Sequence, residues 1–426
     1  MKNHTKLKKA AQREAGQPET IGQEQSPAVK RVRKAVKALA GAVPSSVLET
    51  LNGEEAQKRL QEEWGKKPMA TVGVDVGDLK SNLCMLDRGG NEVGEFEVAS
   101  TQEAFKTFFM GLPPGSRIVM EVGSHSPWMS RLLKEMNEKR FDVIVANARK
   151  IPKQRIKTDR RDAQMLARKG YEESSELGKI NHRGEQQQKD LLVVRIRAGL
   201  VGIRTEAINM ARGMVKGFGE RLDTIEPEKV TTALADTLPE ELREVIQITL
   251  RVVESLNAQI AKLDEKIEET LCRYPVTKEM MKIRSVGPVT ALTFVLTIGD
   301  QERFSSSRTV GVALGMTPGK SQSGESDPEL GISKAGDGYM RSLLVQCAQL
   351  TLSKRGGDSD IRRWGMGLMG SGTTRKNKKR AVVAVARKLA VLLHKLWSSG
   401  AAYDPFYNSK QEAEKVARQA GTATVQ

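Results

Sequence analysis

The chain changes its hydrophobic period twice, and the order of those changes constrains the fold more than any single motif. From Met69 to Ser100 the segment MATVGVDVGDLKSNLCMLDRGGNEVGEFEVAS holds three short β-like runs separated by Gly, Asp and Asn turn signals. That pattern predicts an antiparallel meander. A helical run from Thr101 to Gly111 follows, then the buried-strand run RIVMEVG, an amphipathic helix from Pro127 to Glu138, a further strand DVIVAN, and a helix within IKTDRRDAQMLARKG, Ile156 to Gly170. A strand meander followed by alternating α and β is the order of a ribonuclease-H-like α/β domain.

Between about Glu185 and Tyr274 the β signal disappears. Leu191, Val194, Ala198, Val201 and Ile208 recur near heptad spacing in one long helical pattern, and Val253, Leu256, Ile260, Leu263 and Ile267 in a second. These predict a helical hairpin or coiled coil, open to dimerisation. From Val276 short helices dominate. The expected fold class is α/β plus all-α, with a basic flexible extension (1–67), an α/β catalytic domain (68–184), a helical coiled-coil region (185–275), a helical domain (276–404) and a disordered tail (405–426).

At 426 residues and net charge +17 the chain is long enough for several domains and carries a field suited to a polyanion. The excess is concentrated: Lys2 to Ala40 has ten Lys/Arg against three acids, and Ile361 to Gly400 has ten Lys/Arg and no acid. Within the second stretch, Arg375, Lys376, Lys378, Lys379 and Arg380 form a candidate nucleic-acid docking cluster. Cys84, Cys272 and Cys347 show neither disulfide nor zinc spacing, which fits a reducing cytoplasm. No run approaches the roughly 18 apolar residues that a membrane span requires.

The carboxylates carry the chemistry. In TVGVDVG, alternation turns Val72, Val74 and Val76 one way and Gly73, Asp75 and Gly77 the other, so Asp75 ends the first strand. Glu121 ends RIVME, and Asp159 and Asp162 stand one helical turn apart. In a ribonuclease-H-like sheet the first and fourth strands are neighbours and the next helix crosses their ends, so the four acids can meet. Carboxylates crowded together need a cation, and hard oxygen donors select Mg2+ or Mn2+. A pair of such ions polarises a phosphodiester. Lys157, Arg160 and Arg161, on other faces of the same segment, are candidate phosphate contacts. GVDVGDLKS imitates an ATPase phosphate turn and GMTPGKS a P-loop, but no second phosphate loop follows the former and the latter is one residue short.

In the distal region, IRSVGPVTALTFVLTIGD has the cadence of a helix-hairpin-helix, with a Ser285-Val286-Gly287 turn whose Gly287 N–H can face phosphate. After it, GMTPGKSQSGESDPELGISKAGDGYMRSLL exposes Ser321 and Ser323 beside Lys320, and Lys320 with the following Lys334 and Arg341 are candidate contacts to nucleic-acid phosphate.

VGVDVG, MEVGSHSPW and KTDRRDAQMLARKG, followed by IRSVGPVTALTFVLTIGD, QSG, ISKAGDGYMRSLL and KKRAVVAVARKLAVLLHKLW, together resemble the DEDD transposases of bacterial insertion sequences, the insertion sequence 110 family with its 1111 group. The likeness spans about residues 70 to 404. It implies a RuvC-like domain with the tetrad Asp75, Glu121, Asp159 and Asp162, a coiled-coil middle, and a helical transposase domain with a catalytic serine at Ser323, or Ser321 in its place. It further implies a covalent phosphoserine intermediate and an active site shared between protomers of a dimer or dimer of dimers. A structured bridge RNA pairing donor and target DNA, and a bacterial, nucleoid-associated location, also follow from it. The chain departs from the family pattern in its long basic N-terminal extension, in Ser285 where glycine is usual, and in EVGSHSPW, which introduces His125. Two alternatives stay open: a RuvC-like junction endonuclease that hydrolyses DNA with water, and a non-catalytic nucleic-acid scaffold.

Overall fold

The computed structural model describes residues 67–136, 141–151, 158–319, 321–322, 330–370 and 374–423. The chain divides after His182 into two compact units. The basic extension expected over 1–67 lies, but for Lys67, outside the described residues, as do Lys157, Lys320 and Ser323.

The first unit is built on one five-stranded sheet. Its elements are β1 (Thr71–Asp75), β2 (Lys80–Leu86), β3 (Glu92–Ala99), α1 (Gln102–Met110), β4 (Arg117–Glu121), α2 (Ser126–Glu135), β5 (Asp142–Ala146) and α3 (Asp159–Glu172). The strand order is β3-β2-β1-β4-β5. β1, β2 and β3 pair antiparallel, while β4 joins β1, and β5 joins β4, in parallel. The middle strands are apolar because both sheet faces are covered there, whereas β3, with Glu92, Glu95 and Glu97 exposed, is an edge. Val72, Val74, Leu83, Met85, Ile118, Met120, Val143 and Val145 pack on one face with Phe105 and Phe109 of α1 and Met129 and Leu133 of α2. On the other face α3 covers Cys84, Leu86, Val119 and Ile144. The expected meander and alternation are present, and Thr101 and Gly111 cap α1 at the foreseen limits.

The second unit is all-helical among the described residues. It contains α4 (Glu185–Val215), α5 (Glu240–Leu271), α6 (Val276–Met281), α7 (Pro288–Ile298), α8 (Val310–Ala313), α9 (Gly338–Leu352), α10 (Asp360–Met369), α11 (Arg375–Ser399) and α12 (Tyr407–Ala423). α4 and α5 lie along one another: Val253, Ile260 and Ile267 are buried, and Arg197 donates to Asp264 across the pair at 3.2 Å. A second core surrounds α7, which is buried on every side from Thr290 to Ile298 and shares that core with residues of α9 and α11.

Two expectations need correction. The distal region is not uniformly short-helical, since α11 runs 25 residues with Val385, Ala386, Leu389 and Leu393 in the core. The tail after residue 405 is not irregular: α12 starts at Tyr407, and Asp360 accepts the Asn408 and Ser409 backbone N–H groups at 2.8 and 3.0 Å. Those bonds satisfy donors that a free helix start leaves orphaned, and they nucleate the helix.

Candidate active site

The direction of α3 brings the acids to one end of the sheet. A Cβ at Gly73 would lie 2.1 Å from Ala163 O and 2.3 Å from Ala167 N, so the helix backbone rests directly on β1. A Cβ at Gly170 would meet Val119 Cγ2 at 2.3 Å and Thr71 Cγ2 at 3.4 Å. Residue 170 therefore sits over the start of β1 and residue 163 beyond its middle, which makes α3 antiparallel to β1. The first turn of α3, with Asp159 and Asp162, consequently lies toward the end where Asp75 closes β1. Arg117, at the start of β4, donates to Gly170 O at 2.8 Å and locks the opposite end.

Glu121 comes to the same end through the sheet. β1 and β4 pair in parallel with Val74 opposite Met120, so Asp75 and Glu121 are the next residues on adjacent strands. Asp75 shares its face with Gly73 and Glu121 with Val119, the face that α3 covers. Thr158 caps α3 by accepting the Arg161 N–H at 3.4 Å, and both aspartates fall in the first turn, where the helix dipole favours negative charge.

Chemically the four are a hard, all-oxygen donor set of the kind that suits Mg2+ or Mn2+. Among the described residues no three His, Cys, Asp or Glu side chains stand close enough to hold one ion. The backbone gathers the acids, but their carboxylates are not drawn into a cluster; Glu121 and Asp159 are exposed, and like charges in water repel. Arg160 pairs with Glu95 of β3 at 3.3 Å and stays largely exposed.

Beside the acids, His125 links two loops. Its Nδ1 accepts from Trp128 Nε1 at 3.1 Å, which leaves Nε2 to donate to Asp78, also at 3.1 Å. The imidazole ties the segment after β1 to the segment after β4, a loop-bracing contact that EVGSHSPW alone did not reveal.

In the second unit the sequence candidates separate. Gly287 caps α7, and Ser285 Oγ is buried against Thr351 Oγ1 at 2.8 Å, so the serine at the usual glycine position is a core contact. Ser321 is exposed, just after the point where Pro318 bridges Ile332. Lys334 holds a left-handed backbone (φ 54°), alone in this among the described non-glycine residues. That loop is wedged backbone to backbone: a Cβ at Gly336 would meet Ala313 O at 2.1 Å. Arg341 donates to Leu314 O at 3.1 Å and to Ala335 O at 2.5 Å, so its guanidinium clamps the same wedge rather than pointing wholly to solvent.

Arg375, Lys376, Lys378, Lys379 and Arg380 occupy the first turns of α11 and are exposed. Cations at a helix N-terminus oppose the macrodipole. A cluster that works against helix stability is better suited to an external polyanion. Alternation placed Gly73 on the face of Asp75, but that its missing Cβ seats α3 depends on a contact made only in the folded chain.

Two family models match the chain. One, described as a transposase and of the IS110 DEDD type, covers residues 72–219, and the other, described as the transposase IS116/IS110/IS902 family, covers residues 277–362. A Sinorhizobium fredii protein named "Putative transposase y4pF/y4sB" is 30% identical over 70% of this chain and 76% of its own. The "Probable family 20 transposase" of Pseudomonas aeruginosa is 26% identical over 79% of this chain and 99% of its own. The transposase for insertion sequence element IS1111A of Coxiella burnetii is 26% identical over 77% and 89%. With acids gathered under α3 in the region of the first model, and the wedged loop and α9 in that of the second, the chain belongs to the insertion sequence 110 family of transposases.

Proposed function

We propose that the protein is a DNA transposase that cuts and rejoins strands through attack of a serine hydroxyl on the phosphodiester, directed by a structured RNA of the element. Asp75, Glu121, Asp159 and Asp162 would hold two divalent ions, Mg2+ or Mn2+, and Ser323 is the nucleophile, with Ser321 as its alternative. Bound ions supply Lewis-acid polarisation of the scissile phosphate. The acids fix where that phosphate sits, and Arg160, Arg161 and the α11 cluster hold the flanking backbone. As the bond from serine Oγ to phosphorus forms, one bridging phosphorus–oxygen bond of the DNA breaks, and the serine proton ends on the departing sugar oxygen. The count of phosphate ester bonds is unchanged, so a strand hydroxyl can later displace the serine without ATP.

The observation that carries this is the antiparallel seating of α3 on β1, which gathers acids from β1, β4 and α3 at one end of one sheet. That arrangement, with the sheet order β3-β2-β1-β4-β5, also supports a RuvC-like domain. For assembly, α4 leaves Leu192, Ile196, Ile203, Met210 and Met214 exposed, largely at heptad intervals, which supports a coiled-coil contact between copies. Among the described residues no helix is long and apolar enough to cross a membrane.

The test is to trap a covalent adduct on supercoiled DNA carrying the element's junction and flanking RNA, and to locate the modified residue by mass spectrometry. Ser323→Ala should abolish both adduct and rejoining, and chelator should do the same. Cutting that persists in Ser323→Ala would instead identify a water-using junction nuclease. Activity indifferent to Asp75→Ala would leave only a scaffold.

A further inference from the structure

The described part of the serine-bearing loop meets α11 across an open groove of about 1010 Å3. On one side are Met316, Pro318, Leu330 and Ile332. On the other, α11 contributes Lys376, Lys379/Arg380, Val383/Ala384, Arg387/Lys388 and Val391. Those positions recur every three to four residues, so they form one helix face opposite the buried face of Val382, Val385, Ala386 and Leu389. Fifteen residues of rise make that face about 22 Å long.

The chemistry of the lining is selective. Among the described residues it includes six cations, Arg308, Lys376, Lys379, Arg380, Arg387 and Lys388, and no acid. Between them lie aliphatic side chains and the ring of Trp364, which is 38% exposed. Lys388 Nζ stands 3.8 Å from the centre of that ring, covering part of it with positive charge. Arg387 is held flat by the absence of a side chain at Gly311, where a Cβ would meet Arg387 Cγ at 2.8 Å.

A duplex offers phosphates outward and has no use for an apolar floor. An unpaired strand offers both phosphates and exposed bases, which need cations and a stacking platform respectively. We infer that this groove binds an unpaired DNA strand, with phosphates along Lys376, Lys379 and Arg387 and a base stacked near Trp364. The inference rests on the protein being a DNA transposase and gives its serine loop a strand-presenting groove.

Fluorescence anisotropy of the full chain with a labelled single-stranded DNA 12-mer, the same sequence as RNA, and the DNA duplex tests it across a salt series. Trp364→Ala should weaken single-strand binding about tenfold. It should leave the salt slope unchanged and hardly affect the duplex, and Trp364→Phe should restore most of the loss. Arg387→Gln should instead reduce the single-strand salt slope by about 0.7. Unchanged single-strand affinity in Trp364→Ala, a duplex weakened equally, or RNA bound as well as DNA would each overturn the inference. Strand cutting by Asp75→Ala, measured in parallel, reports on the tetrad alone, so either proposal can fail while the other stands.

Discussion

Gly73→Ala adds one methyl group and demands most of α3. The new Cβ would stand 2.1 Å from Ala163 O, and ordinary contact begins near 3.4 Å, so the helix must rise by about 1.3 Å (3.4 − 2.1). Both obstructing atoms, Ala163 O and Ala167 N, are helix backbone, and no rotamer change relieves them. Overpacking of this kind costs about 1–3 kcal/mol. A displacement of about 1 Å of Asp159 and Asp162 relative to Asp75 should lower strand cleavage about 100-fold. A third readout is chemical. Cys84 pairs with Gly73 across β1 and β2 and is covered by Ala163 and Ala167. Burial, assisted by Glu92 and Glu95, pushes its thiol up to about 12, so it is both covered and protonated. In a background with the exposed Cys272 replaced by Ser, Gly73→Ala should speed labelling of Cys84 by a thiol reagent. Gly170→Ala is the comparison, because its Cβ meets side-chain atoms of Val119 and Thr71 rather than backbone, so every effect should be smaller. A Gly73→Ala protein with parental melting, cleavage and thiol protection would refute the claim that close helix–strand approach positions the acids.

The remaining predictions address electrostatics and the second unit. Asp190 is buried, which works against its charge, but Arg273, Tyr274 and Gln186 donate to it and hold its carboxyl below the usual range. A lowered folded pKa stabilises above the unfolded value and is lost as pH falls through the folded one. The helical unit should therefore lose stability on acidification below about pH 4, and Asp190→Asn should flatten that limb at a cost of about 1–3 kcal/mol at neutral pH, measured by urea unfolding. Arg375→Glu with Lys376→Glu should change two properties in opposite directions. Melting should rise, by about 0.3–1 kcal/mol per charge removed from the helix start, while affinity for duplex DNA of any sequence falls; two losses together would contradict the polyanion role. Arg341→Met should destabilise by about 1–3 kcal/mol through the Leu314 and Ala335 carbonyls it leaves unpaired, and a parental melting curve would return Arg341 to a pure phosphate contact.

Much of the framework was legible because it depends on local periodicity. TVGVD, RIVME and DVIVA read as strands, and IKTDRRDAQMLARKG as a helix, since alternation and helical periodicity act within a few residues. Neighbouring first and fourth strands followed from element order. The tail helix was not legible, because its first turn is held by Asp360, some fifty residues upstream. Arg341 read as a phosphate contact because its carbonyl partners belong to loops that become neighbours only after folding.

By itself the sequence determined which residue types are available: four carboxylates on strand ends and one helix turn, cations massed at the start of α11, and hydroxyls in a loop. Only the tertiary structure decided that α3 lies antiparallel on Gly73, that a groove opens between the Pro318–Ile332 stem and α11, and that Ser285 is a core contact. Periodicity says which face of an element is buried; the direction and distance of its neighbour depend on contacts between residues far apart in the chain, where a missing Cβ or a shared carbonyl settles the geometry.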